Sequence, residues 1–295
     1  MFNVLRRDNG VNLAMKQKKK PQAEIIALNQ PLEELKHKKV AERVEALESL
    51  AKIDDPTIVK EVIKALSDRS PTVRGTAVEW LGALGTREAI TPLIMKLEDP
   101  DSEVRMMATA SLGDLLVGKK TPQELVRKLQ DSAELVRIEA AESLGAIGDK
   151  STLPELWSGL EDKSPLVRSY MAGAIGELGS TKDIPELEER LRKEKSDTSK
   201  VGYYQALYKL GKRDVVDQML HMLSDSKNYR VRCAVSKILV DTVDNKNSAL
   251  IIQRALQKAL RLEPTNAAKS SIRSSIRNIT QRFVKRTPSR RRGGK

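Results

Sequence analysis

One basic residue returns every 31 or 32 positions through most of the chain: Arg43, Arg74, Arg105, Arg137, Arg168, Lys200 and Arg232. A fixed period of this length is the signature of stacked repeat units, and it constrains the fold more than any single motif. Other positions keep the same register. Seven residues further on come Leu50, Leu81, Leu112, Leu144, Ile175, Leu207 and Leu239. Three residues further on lie Ala46, Ala77, Ala108 and Ala140, then the larger Met171, Tyr203 and Val235. Six residues before the basic position stand Asp68, Asp99, Asp131 and Asp162, with Glu194 in the sixth unit.

Each unit reads as two helices. The first, as in PTVRGTAVEWLGAL, spaces its apolar residues for one helical face. Gly85, Gly148, Gly179 and Gly211 stand where this helix should stop, glycine being the usual terminating residue. The second helix, as in EAITPLIMKL, runs into an acidic turn such as SDRSP or EDKSP. Pro92, Pro122, Pro154 and Pro185 fall in or near its first turn, where a missing N–H costs little. One such pair cannot bury both apolar faces, so neighbours must stack to form a shared core. The expectation is an all-α fold, an α-α superhelix of about seven helical-hairpin repeats. Truncating Leu112 or Leu144 to alanine should cost roughly 2–5 kcal/mol.

The pattern D-x-S-P-x-V-R-x-x-A-x-x-x-L-G-x-x-G, fullest at 68–85, 131–148 and 162–179, resembles HEAT repeats of the short type named for phycobilisome-lyase proteins. The resemblance covers about residues 41–260. It implies a HEAT-repeat solenoid of the kind used for scaffolds, adaptors and occasional enzymes, in which Asp and Arg link adjacent units. Carried onto this chain, that role falls on Asp68/Arg74, Asp99/Arg105, Asp131/Arg137 and Asp162/Arg168. His37, Glu194 and Ser226 replace the Asp in the first, sixth and seventh units, which leaves the ladder open there.

Charge is unevenly placed. The net charge is +13, yet residues 41–260 sum to −2. Residues 1–40 hold nine Lys/Arg against four Asp/Glu, and residues 261–295 hold eleven against one. A nucleic-acid reader with a basic groove should carry its charge in the body. The organisation expected is a basic segment over 1–22, a helical cap over 23–40, the solenoid over 41–260, an amphipathic capping helix over 261–284 and a basic disordered tail over 285–295. Ile272, Ile276, Ile279 and Phe283 give the capping helix its one apolar face. No run approaches the ~18 apolar residues of a membrane span, and one cysteine, Cys233, permits no internal disulfide. A cytoplasmic monomer is the expectation.

Little catalytic chemistry is legible. His37 and His221 fall five repeats apart and neither is followed by Glu, unlike the His-Glu pairs that the resemblance associates with di-iron hydroxylases. No metal or other cofactor is expected, and Cys233 has no evident His or Asp partner. The glycines terminate helices and form no phosphate loop. The five tyrosines all lie between 170 and 229, and Tyr208 stands where other units have Gly82, Gly113, Gly145 and Gly176. Tyrosine is enriched at binding hot spots, so Tyr204 and Tyr229 are candidate partner-binding residues. Trp80 joins them as an exposed anchor, because equivalent positions hold small or polar residues. Lys96, Arg127 and Lys128 form a locally basic stretch on the second helices, which the resemblance places on the concave side. Candidate anion- or nucleic-acid-binding residues are Arg273, Arg277, Arg282, Lys285, Arg286, Arg290, Arg291 and Arg292. The expected function is a non-enzymatic scaffold or adaptor binding a protein partner on the curved repeat surface, the basic termini adding electrostatic attachment. Two alternatives are a nucleic-acid- or ribosome-associated protein acting through those termini, and a factor similar to phycobilin lyase subunits.

Overall fold

The computed structural model describes residues 30–51, 53 and 56–284. The expected segment 1–22, the first part of the 23–40 cap and the 285–295 tail lie outside the described residues. After a short helical segment at 30–34, the chain builds seven helix pairs and one further helix. The first helices are α1 (Val40–Leu50), α3 (Pro71–Leu84), α5 (Ser102–Leu115), α7 (Glu134–Ile147), α9 (Pro165–Leu178), α11 (Asp197–Lys209) and α13 (Tyr229–Asp241). The second helices are α2 (Pro56–Ala65), α4 (Ile90–Lys96), α6 (Gln123–Val126, continued by a 3-10 turn Arg127–Gln130), α8 (Leu153–Gly159), α10 (Ile184–Lys193), α12 (Val215–Asp225) and α14 (Lys246–Leu262). The last helix, α15 (Asn266–Ile279), ends in a π-helical turn, Thr280–Val284.

The periodic leucines explain the stack. Leu50, Leu81, Leu112, Leu144, Leu207 and Leu239 are fully buried and belong to one continuous apolar core. Asp101, Ser164 and Thr265 cap α5, α9 and α15 by accepting hydrogen bonds from free backbone N–H groups of the first turn. Gly85 and Gly148 end α3 and α7 in the left-handed region, at φ 69° and 85°. Gly179 departs from the expected pattern. It is extended, at φ −73°, because the chain there enters the Ser180–Asp183 capping box directly.

Adjacent first helices approach closely because of a second glycine. A Cβ placed on Gly82 would collide with Ser111, on Gly113 with Ser143, and on Gly176 with Ala206. Small residues at that facing position therefore mark close packing. This corrects the reading of Trp80, which shares the position: it is buried at 9% and sits in the core, not exposed as an anchor.

The Asp–Arg ladder exists, in a different register from the one the resemblance implied. Each arginine reaches the acid of the following repeat: Arg43 to Asp68, Arg74 to Asp99, Arg105 to Asp131, Arg137 to Asp162 and Arg168 to Glu194. All five pairs are bidentate; Nε and Nη2 of Arg74 donate to Asp99 at 2.8 and 2.6 Å. Within its own repeat the same arginine bonds only backbone carbonyls, as Arg74 Nη1 does to Asp68 at 2.9 Å and to Arg69 at 3.4 Å. Any residue offers such a carbonyl, so His37 serves Arg43 equally well, at 2.9 Å. Glutamate at 194 makes a full rung. An unforeseen rung joins Arg232 to Glu263 at 2.6 and 2.7 Å.

Candidate interaction surface

The ladder carboxylates are structural. Burial is the strongest influence on Asp99 and opposes its ionisation, but hydrogen bonds from Arg74, the Asp101 N–H and Lys96 outweigh it and hold the carboxyl below its ordinary range. For Glu263 the Arg232 guanidinium is the leading cause and lowers the pKa to about 2. At neutral pH these groups are charged, paired and hidden, and none is free for acid–base chemistry. Such buried pairs are weak evidence for net stability.

One rung is missing. In the sixth unit Lys200 replaces arginine and in the seventh Ser226 replaces the acid, so both halves of the same rung are lost. Lys200 makes no ion pair with a described residue, and Ser226 Oγ instead donates to Asp197 at 2.9 Å. The glycine of close approach is lost at the same joint. Tyr208 stands in its place, its hydroxyl donating to the Thr242 carbonyl at 3.0 Å and its ring lying 4.2 Å from the Arg213 guanidinium. At this joint α11 and α13 also lie more loosely against each other than α9 and α11 do.

This joint is also an electrostatic boundary. Residues 41–226 carry a net charge of −7, whereas residues 227–284 hold twelve Lys/Arg against three Asp/Glu. Helices α14 and α15 contain no Asp or Glu. On α15, Arg273 and Arg277 occupy the positions that in inner repeats receive the next first helix, Arg277 standing where Gly82 and Gly176 do. Both are exposed, so the stack ends in charge where another repeat would otherwise add. Arg282 is exposed beyond them, its guanidinium 5.3 Å from the Phe283 ring. Lys285, Arg286, Arg290, Arg291 and Arg292 lie outside the described residues.

The expected partner-binding residues do not converge. Lys96 is drawn to Asp99 at 3.2 Å, and Lys128 is buried, paired with Glu98 at 2.9 Å. Neither projects freely: Lys96 is held by the ladder carboxylate Asp99, and Lys128 by Glu98, with the ladder's Asp131 3.8 Å away. Arg127 is exposed and pairs with Glu124 at 3.5 Å. Tyr204 is half-buried against the core near the missing rung, while Tyr229 is 37% exposed beside Arg230. His37 contacts Glu42 and His221 lies on the exposed side of α12. A shallow cleft of about 430 Å³ lined by Glu34, His37, Glu42 and Glu45 holds none of the expected binding residues. Among the described residues no three His, Cys, Asp or Glu side chains are grouped to hold a metal ion. No helix among them is long and apolar enough to cross a membrane.

Sequence reasoning missed two features of this surface. The Glu263 rung was signalled by Glu263 lying six residues before Lys269, and Ile276 seven after it, which is the repeat register again. The exposed face of α14, carrying Arg254, Lys258 and Arg261, was signalled only by the absence of acids.

Helix pairs stacked in one direction on a shared core, joined by an arginine–carboxylate ladder, define an α-α superhelix. Residues 28–113 and 122–202 match the family of HEAT repeats, and the chain belongs to that family. Among solved structures it is similar to the complex of CpcE and CpcF of phycocyanin lyase from Nostoc sp. PCC7120, with 19% identity, a TM-score of 0.54, and coverage of 77% of this chain and 97% of that one. It is also similar to a chain of a homology model of the full-length AP-3 complex, with 14% identity, a TM-score of 0.56, and coverage of 88% and 51% respectively. At these identities the likeness is one of fold. Among curated proteins none matches this chain.

Proposed function

We propose that this chain is a non-enzymatic scaffold that holds a protein partner on its repeat surface, its cationic C-terminal end adding electrostatic attachment. The observation that carries this reading is the division of charge at the sixth joint. Up to it, the ladder and local pairs join acids to bases, and the charges outside them are of both signs and net negative. Beyond it, Arg254, Lys258, Arg261, Arg273, Arg277 and Arg282 make no ion pair with a described residue. Unpaired surface charge of one sign steers and retains a partner of the opposite sign. The test is a pull-down from native cells with the full chain, with a chain whose Arg273 and Arg277 are changed to Glu, and with a 261–295 peptide. The full chain should retain a protein partner that the charge-reversed chain holds less well and that the peptide alone does not hold. Full retention by the peptide would refute a role for the repeats.

A second reading, attachment to nucleic acid, draws on the exposed Arg273, Arg277 and Arg282 of the terminal helix and its turn. If about six phosphates are neutralised, log K on duplex DNA should fall with a slope near −5 against log salt. A flat salt response removes that reading. The chromophore-lyase alternative rests on shared fold alone and is not proposed.

A further inference from the structure

We infer that the outer face of α14 is a docking surface for an acidic protein segment bearing aliphatic side chains. The inference rests on the scaffold reading and names where and what it binds.

Helix α14 has two functional sides. Ala249, Ile252 and Leu256 face inward and are buried. At 100° per residue, Leu250, Arg254, Lys258, Arg261, Ile251 and Leu262 fall within one arc of about 120° on the opposite side. All six are exposed. Leu250, Ile251 and Leu262 are 47%, 59% and 73% exposed, placing them among the six most exposed large apolar side chains of the described residues. A single exposed leucine needs no explanation, but this face carries exposed apolar side chains at both ends, Leu250 and Ile251 near its start and Leu262 about 16 Å further along. Three cations interleave with them, and none has an ion-pair partner among the described residues. The 17-residue helix is about 25 Å long. A complementary occupant must supply carboxylates for the cations and aliphatic groups for the leucines and isoleucine.

Other polyanions fit less well. A phosphate backbone would satisfy the cations but leave the aliphatic groups without partners, and the face offers no aromatic ring for base stacking. An anionic bilayer would accept both groups, but it is planar. Helix α12 contacts α14 and exposes Asp217 and Asp225, and Asp244 is exposed just before α14 begins. A flat anionic surface would meet those carboxylates, whereas a segment one helix wide follows α14 alone.

The test uses the full chain and fluorescence anisotropy. The probes are a fluorescein-labelled 15-residue peptide of Glu and Leu at helical spacing, the same peptide with Leu replaced by Ser, a 20-base-pair duplex DNA, and vesicles containing 30% phosphatidylserine. The Glu/Leu peptide should bind at least tenfold more tightly than its serine counterpart. Ile251→Ser with Leu262→Ser, and separately Arg254→Gln with Arg261→Gln, should each weaken it at least tenfold. Leu135→Ser, at an equally exposed leucine on α7, should not. Circular dichroism melts should coincide, since no core residue changes. Equal binding of the two peptides, no binding of either, or binding of DNA or vesicles that the serine substitutions abolish would overturn the inference. The cell pull-down separates the two readings. A partner retained undiminished by the Ile251→Ser/Leu262→Ser chain leaves the scaffold standing and removes this site. No partner for the unmodified chain removes the scaffold reading itself.

Discussion

Changing Asp99 to Ala tests whether the ladder fixes the stack. The Asp99 side chain is 1% exposed and that of Arg74 10%. The carboxylate accepts four donors: Arg74 at 2.6 and 2.8 Å, Lys96 at 3.2 Å and the Asp101 N–H at 3.1 Å. Its removal strands a buried guanidinium, left with the Asp68 and Arg69 carbonyls, and leaves Lys96 facing it without an anion. Breaking one side of a buried pair costs about 3–5 kcal/mol. Removing both charges in Arg74→Met/Asp99→Leu avoids that penalty and loses mainly the cap to Asp101, about 1 kcal/mol. In a solenoid the damage should stay near the joint. Hydrogen exchange of α3 to α5 should therefore quicken by roughly two to three decades in Asp99→Ala, with α11 to α13 little changed. Urea unfolding should order the variants unmodified, double, then single. If the single change costs less than about 1 kcal/mol, or the double is no better than the single, the ladder is not an obligate pairing and the reasoning fails.

Three further outcomes follow from the same geometry. Gly202→Ala should loosen the α9–α11 joint and cost about 1–3 kcal/mol, because its Cβ would collide with the Ser169 carbonyl; thermal melting measures it. Burial, then Glu142 and Asp114, raise Glu139 to about 7, above its ordinary 4.5, so its contribution is full below about pH 4.5 and is lost as pH rises through 7. Glu139→Gln, which mimics the protonated form, should melt higher than the unmodified chain at pH 8 and level with it at pH 4. Lys200→Arg with Ser226→Asp should rebuild the missing rung and slow exchange in α13, while neither change alone does so, as each lacks its partner.

Much of the fold was legible because repeat units reuse one solution. A basic residue, a buried leucine and an acid at constant spacing can recur only if each unit meets the next in the same way, and the small apolar content of any one unit forces the stacking. The sequence therefore determined the helix pairs, their stacking on a shared core and the cationic C-terminal end. It did not determine which acid each arginine grips, since Asp68 and Asp99 are both near Arg74 in the chain pattern and only the rise from one repeat to the next selects Asp99. Nor did it determine that Trp80 is buried, because a row of small residues reads equally as exposure or as tight contact. The face of α14 belongs to tertiary structure as well. Its apolar residues lie on two opposite sides, and only packing against α13 and α15 decides which side becomes core and which is left for a partner.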